Sequence, residues 1–329
     1  MKKFIVLVVF STFSLLSGCG SGNSNNYSSS SSSSSSSSQA NSSSSTSVTS
    51  SSVVSSVSST SSSSSAATTA SQVKSGVVKS EVLKTDMGFD IYLPKDYDQN
   101  IKYPVLYSLH FFDGNQHTLL SGLISLNANA DTLIANGKIQ PMIIVTPDYK
   151  NSFGANTTLE QGPAAAGTVI GLYKDYLVKE LIPYIDSHYS TITQREGRFI
   201  DGYSMGGFAA LHIGFLHPEL FSKVGAHSAA FWDYAADDLY TDRRDWLYTT
   251  PELRKERDPF LLAKTQDLKS TKVYVDVGTS DSLAGVDERF YLLLLSLGIN
   301  AEWHTSSGAH TLAYWKANTD NYLLFFSGK

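Results

Sequence analysis

The chain has one cysteine, Cys19, in 329 residues, so no internal disulfide can form and a disulfide-stapled scaffold is excluded. Charge is also scarce: Asp, Glu, Lys and Arg together make up 17% of the residues, with a net charge of −5. Lys and Arg are scattered along the part expected to fold, which argues against a nucleic-acid surface. Between Gly20 and Val73 there is no charged residue at all, and serine dominates. That stretch has too little apolar content to offset the entropy of ordering and is expected to stay unfolded. No clustered Cys/His set suggests a metal centre.

The N-terminus carries an address. Lys2 and Lys3 precede an apolar run from Phe4 to Leu16, thirteen residues long. A bilayer span needs about 20 residues, so this run has the proportions of a signal-peptide core, with residues 1–18 removed on export. It ends in Leu16-Ser17-Gly18-Cys19, which resembles the lipobox of bacterial lipoproteins. That resemblance implies a lipid on the Cys19 thiol and an exported protein anchored to the cell envelope, in the outer membrane. As a flexible coil, the 19–73 linker would span on the order of 40 Å, enough to hold a domain clear of a membrane surface. Poly-serine linkers of this kind resemble those of secreted enzymes that degrade plant polysaccharides, although a generic spacer has the same composition.

Residues 74–329 suit one large domain, since no second low-complexity break interrupts them. Strands are expected at Val77–Leu83, Gly88–Leu93, Val105–His110, Met142–Thr146, Arg198–Asp201, Lys223–Ala226, Lys272–Val277 and Ala301–Thr305. Helices are expected at Thr118–Asn136, Leu172–Ser187 (with a kink or break at Pro183), Met205–Leu216, Asp287–Leu297 and Leu312–Phe326. The aromatic stretch up to Arg257 reads as irregular. Strands alternating with helices predict an α/β fold, a mainly parallel, doubly wound sheet with helices on both faces.

Gly202-Tyr203-Ser204-Met205-Gly206 is a G-x-S-x-G pentapeptide between the strand residues Phe199-Ile200 and the helix residues Phe208-Ala209-Ala210-Leu211. A strand that turns sharply into a helix holds the serine in a strained conformation and needs glycine on both sides, as in the nucleophile elbow of α/β-hydrolases. A serine hydroxyl needs an adjacent base, and in this order the acid and the histidine both follow the serine. His110, His117 and His188 come too early; His212 and His217 lie on the helix leading away. His227 is possible but early, and His304 falls inside a strand. His310, in the loop Ser306-Ser307-Gly308-Ala309-His310 after the last strand, is the expected base. Asp281, on the turn after Lys272–Val277, is the expected acid, with Asp287 second and Asp276 third. For the two N–H donors of an oxyanion hole, Met205 follows the nucleophile and Phe111 follows the Leu109-His110 strand end, with Phe112 close behind. Phe111, Phe112, Tyr149, Phe153, Tyr203 and Trp232 are candidates to bind substrate by stacking on a sugar or phenolic ring, or else to serve as packing. This chemistry requires no cofactor.

With these residues in place, the chain resembles the esterase D and feruloyl-esterase-like group, which includes carbohydrate esterase family 1. The resemblance runs through Tyr103-Pro104-Val105-Leu106-Tyr107, Glu180-Leu181-Ile182-Pro183-Tyr184-Ile185, the Ser204-Met205-Gly206-Gly207 run, Asp276-Val277-Gly278, and Gly308-Ala309-His310 before Tyr314-Trp315. It implies a Ser204–Asp281–His310 triad acting on a carboxylic ester, acetyl or feruloyl, carried by a plant polysaccharide. Thioester hydrolysis, acyl transfer to a sugar, and a catalytically inactive carbohydrate-binding fold are the alternatives. In one respect the chain departs from the group: it has His110-Phe111 where members usually carry His-Gly, which places a bulky ring beside the oxyanion loop.

Overall fold

A computed structural model describes residues 69–329. The expected signal peptide, Cys19 and nearly all of the serine-rich linker lie outside the described residues. No helix among the described residues is long and apolar enough to cross a membrane.

Eight strands form one sheet. β1 (Gln72–Ser80), β2 (Thr85–Leu93) and β4 (Ile143–Pro147) pair antiparallel in that order. β3 (Val105–Leu109), β5 (Arg198–Tyr203), β6 (Lys223–His227), β7 (Lys272–Gly278) and β8 (Asn300–Ser306) continue in parallel from β4. The spatial order is β1-β2-β4-β3-β5-β6-β7-β8. β3 to β5 are buried on both faces, which is why they read as continuous apolar runs rather than alternating ones.

The pleat sorts the two layers. Val105, Tyr107 and Leu109 join a core that includes α4 (Met205–Leu216) and α8 (Ala284–Ser296). Leu106 and Phe199 face the opposite layer, with α1 (Leu126–Ala135) and α9 (Leu312–Ser327). The expected doubly wound, two-faced architecture is present.

Element bounds depart most from expectation in four places. The first strand ends at Ser80 rather than Leu83, because the Glu180 carboxylate accepts the Glu81 and Val82 N–H groups at 2.9 and 3.0 Å and caps a turn there. The helix expected from Thr118 starts only at Leu126, since Ser125 adopts a left-handed φ of 68° and residues 118–125 form turns. Around Pro183, α2 (Tyr173–Asp175) passes through a π-helical turn (Tyr176–Leu181) into α3 (Ile182–His188), whose second residue is Pro183. The π turn takes up the break that proline imposes. The stretch expected to be irregular holds α5 (Thr241–Leu247) and α6 (Pro251–Arg257), followed by α7 (Pro259–Thr265). Thr250 and Asp258 cap α6 and α7 by accepting the Leu253 and Phe260 N–H groups, and a proline stands in the first turn of each.

Candidate active site

Ser204 sits between β5 and α4 with φ 54° and ψ −112°, a backbone conformation that L-residues rarely adopt. The flanking glycines make that turn possible. A Cβ on Gly202 would lie 2.2 Å from the Gly206 carbonyl carbon, and one on Gly206 would lie 2.2 Å from the Leu109 carbonyl oxygen. Both contacts are with backbone, so no side-chain movement relieves them. The Ser204 hydroxyl makes no cap hydrogen bond to α4 and reaches His310 instead.

Ser204 Oγ lies 2.8 Å from His310 Nε2, and His310 Nδ1 lies 3.0 Å from Asp281 Oδ2. The other carboxylate oxygen, Oδ1, accepts the Leu283 N–H at 2.9 Å. Burial pushes the Asp281 carboxyl up, but His310, the Leu283 N–H and Ser228 together hold it below the usual range. The carboxylate is therefore charged at neutral pH, and the His310 side chain, 31% exposed, stands between it and the serine. Two backbone bonds register the acid loop against the base loop: Thr279 N–H to Ser306 O at 3.0 Å and Ser280 N–H to Gly308 O at 2.8 Å. Gly278 permits this approach, since a Cβ there would lie 2.5 Å from the Gly308 oxygen.

The loop after β3 is held from inside. Tyr149 donates its hydroxyl to the His110 carbonyl, and the Phe111 carbonyl accepts the Gly114 N–H at 3.0 Å and contacts His110 Nδ1 at 2.8 Å. A side chain at Gly114 would press on His110 and the Phe111 carbonyl, so the close approach falls here rather than directly after His110. Beside His110, Asp148 is pushed up by burial, yet the histidine ring and Lys150 hold it at about 2. The Phe111 ring stacks on Trp315 with centroids 5.3 Å apart. The backbone N–H groups of Met205, Phe111 and Phe112 have no protein acceptor among the described residues.

Ser204 and His310 open onto a cavity of about 640 Å³ walled by Phe111, Phe112, Phe153, Trp232 and Trp315. Tyr240 and Arg243, which are not among the sequence-based candidates and lie within the stretch read as irregular, also line it. Tyr203 does not line it. Strand alternation turns its side chain to the α9 face, where it is fully buried against Trp315, His227 and Tyr322. Tyr149 is likewise buried beneath the loop. Asp287, the second choice for the acid, accepts the Ala229 N–H at 3.2 Å, and burial together with the Asp281 charge raises its carboxyl well above the usual range. His304 stacks on Tyr274 at 4.4 Å on the edge strand.

Behind the nucleophile lies a second histidine, fully buried. His227 Nδ1 lies 2.6 Å from Asp276 Oδ1 and its Nε2 lies 3.2 Å from Asp201 Oδ2. Asp276 also accepts the hydroxyls of Tyr314 and Tyr322 at 2.9 and 2.8 Å, which ties β7 to α9. The His227 carbonyl accepts the Ser204 N–H at 2.9 Å. Burial lowers the His227 pKa, but the two carboxylates outweigh it and raise the ring to about 9 from an ordinary 6.5. The folded value lies above the unfolded one, so this stabilisation is complete below pH 6.5 and is lost as pH rises through 9. Urea unfolding is expected to show a loss of about 3 kcal/mol between those limits, and His227→Gln should flatten the slope.

Residues 80–322 match the sequence profile of the Esterase family. The chain is 28% identical over 243 residues, 69% of its length, to an endo-1,4-beta-xylanase/feruloyl esterase of Xylanibacter ruminicola. It is 30% identical over 134 residues, 38% of its length, to endo-1,4-beta-xylanase Y of Acetivibrio thermocellus. The matched segments span 27% and 11% of those longer proteins. A solved ferulic acid esterase superposes with a TM-score of 0.66 at 25% identity, covering 79% of this chain and 98% of that one. The chain belongs to the Esterase family, on an α/β-hydrolase fold.

Proposed function

We propose that this chain is a serine carboxylic ester hydrolase that removes acyl groups from a plant polysaccharide or oligosaccharide. The observation that carries the reading is the unbroken line Ser204 Oγ–His310 Nε2 and His310 Nδ1–Asp281 Oδ2, opening on an aromatic cavity. Ser204 attacks the ester carbon while His310 takes its proton. Asp281 holds the imidazole in orientation and balances its charge. The N–H groups of Met205 and Phe111 face the oxyanion, at the start of α4 and on the loop after β3. His310 returns the proton to the leaving alcohol, and water then releases the acid by the same steps in reverse.

The aromatic walls favour a feruloyl over an acetyl group, because a ring fills such a cavity and a methyl leaves it wet. The polysaccharide reading is supported by the relatives that carry xylanase names and by the poly-serine linker. Export and lipidation at Cys19 belong to the same reading, since a polymer outside the cell needs an enzyme held there. A screen of feruloylated and acetylated oligosaccharides tests it. Feruloyl esters are expected to give kcat/KM at least about tenfold higher, and equal rates on both, or none on either, would reject the acyl assignment. Covalent labelling of Ser204 by a fluorophosphonate separates an enzyme from an inactive carbohydrate-binding fold: a folded, unlabelled protein would favour binding alone.

A further inference from the structure

Arg243 is the one permanently charged group lining the aromatic cavity among the described residues, and no carboxylate lines it with Arg243. Its guanidinium carbon lies 4.8 Å from the centroid of the Phe112 ring and 5.1 Å from that of Tyr240. Aromatic faces stabilise the cation through its charge and offer its N–H groups no carbonyl or carboxylate acceptor. The in-plane donors are poorly used, with the Ala166 carbonyl 3.4 Å away and the half-exposed Asp242 carboxylate 3.5 Å away. Neighbouring arginines differ. Arg244 meets Asp245 at 2.9 Å and Asp238 at 3.2 Å, and Arg289 pairs with Asp233 and Asp237. Arg244 and Arg289 each hold a carboxylate in close contact, whereas the nearest carboxylate to Arg243 stands at 3.5 Å, which leaves its donor edge only weakly engaged. A guanidinium fork in an apolar setting matches a planar carboxylate better than any neutral group.

From this geometry we infer that the cavity takes esters that carry a carboxylate away from the scissile bond, and that Arg243 binds that carboxylate. The inference rests on the esterase reading of Ser204 and extends it to a substrate class. The carboxylate could belong to the acyl part or to the alcohol part, as in a uronic acid, and the test distinguishes them. Three matched substrates serve: the phenylpropanoyl ester of a neutral sugar, the same ester with a carboxylate at the para position of the phenyl ring, and the phenylpropanoyl ester of the corresponding uronic acid.

One of the two charged esters is expected to exceed the neutral one in kcat/KM by about tenfold at low salt. Arg243→Gln should bring that ratio to about one, Arg243→Lys should restore part of it, and high salt should erode it. Equilibrium binding of the three esters to Ser204→Ala reads the same preference without turnover. A total absence of hydrolysis and of fluorophosphonate labelling would therefore sink the esterase reading, while the binding ratio still decides the role of Arg243. No preference for either charged ester, or a preference that survives Arg243→Gln, overturns the inference.

Discussion

Ser204→Ala is expected to lower kcat on a feruloyl ester by about six orders of magnitude while the domain stays folded. The hydroxyl caps nothing in α4 and has a single side-chain partner, His310, so its removal breaks no structural bond. Far-ultraviolet circular dichroism and the thermal midpoint should stay near those of the parent, and fluorophosphonate labelling should vanish. Retained turnover would end the case for this nucleophile. Ser204→Gly should lose activity equally but unfold at a higher temperature, because glycine adopts a φ of 54° without strain. The gain is about 1 kcal/mol. Inactivation joined to stabilisation is hard to explain unless the strain serves the reaction.

The second large effect concerns Asp281. In Asp281→Asn, the oxygen that accepts the Leu283 N–H must remain an oxygen, so the amide nitrogen turns toward His310 Nδ1. That ring nitrogen then becomes an acceptor, and the proton moves to Nε2, facing the Ser204 hydroxyl. The base is lost through the wrong tautomer, and kcat is expected to fall about 10⁴-fold. Asp287→Asn is the contrast. Burial already favours the neutral form of that carboxyl, and an amide oxygen can still accept the Ala229 N–H. Its turnover should stay within about threefold of the parent. Equal losses in the two variants would show that the acid had been misassigned.

Much of this site could be read without coordinates because its rules are local and directional. The glycines around Ser204 mark a turn that tolerates no Cβ, and chain order together with placement on a loop after the last strand singles out His310 from the other histidines. The position of Asp281 after a strand marks it as the acid, and in the structure it lies 3.0 Å from His310 Nδ1. What escaped notice depends on strand parity and on weak helix signals. Tyr203 stands next to Ser204 in sequence, yet it shares its strand face with Phe199, and two-residue alternation puts both in the α9 layer. Counting from Phe199 would have removed it from the cavity. The aromatic composition up to Arg257 masks α5 and α6, although Thr250-Pro251 is a cap signal, as is Asp258-Pro259 ahead of α7. Tyr240 and Arg243 lie in that same stretch. The pairing of His227 with Asp201 and Asp276 joins three strands, and no spacing along the chain reveals it.

One side of the cleft comes from a stretch of chain separate from the triad. Trp232, Tyr240 and Arg243 all belong to the excursion between β6 and β7, whereas Ser204, Asp281 and His310 lie outside it. That side of recognition can therefore drift while chemistry stays put. An excursion of similar span grafted from a relative should shift the preference in one exchange, and in natural lineages this segment is where divergence in specificity would be written first.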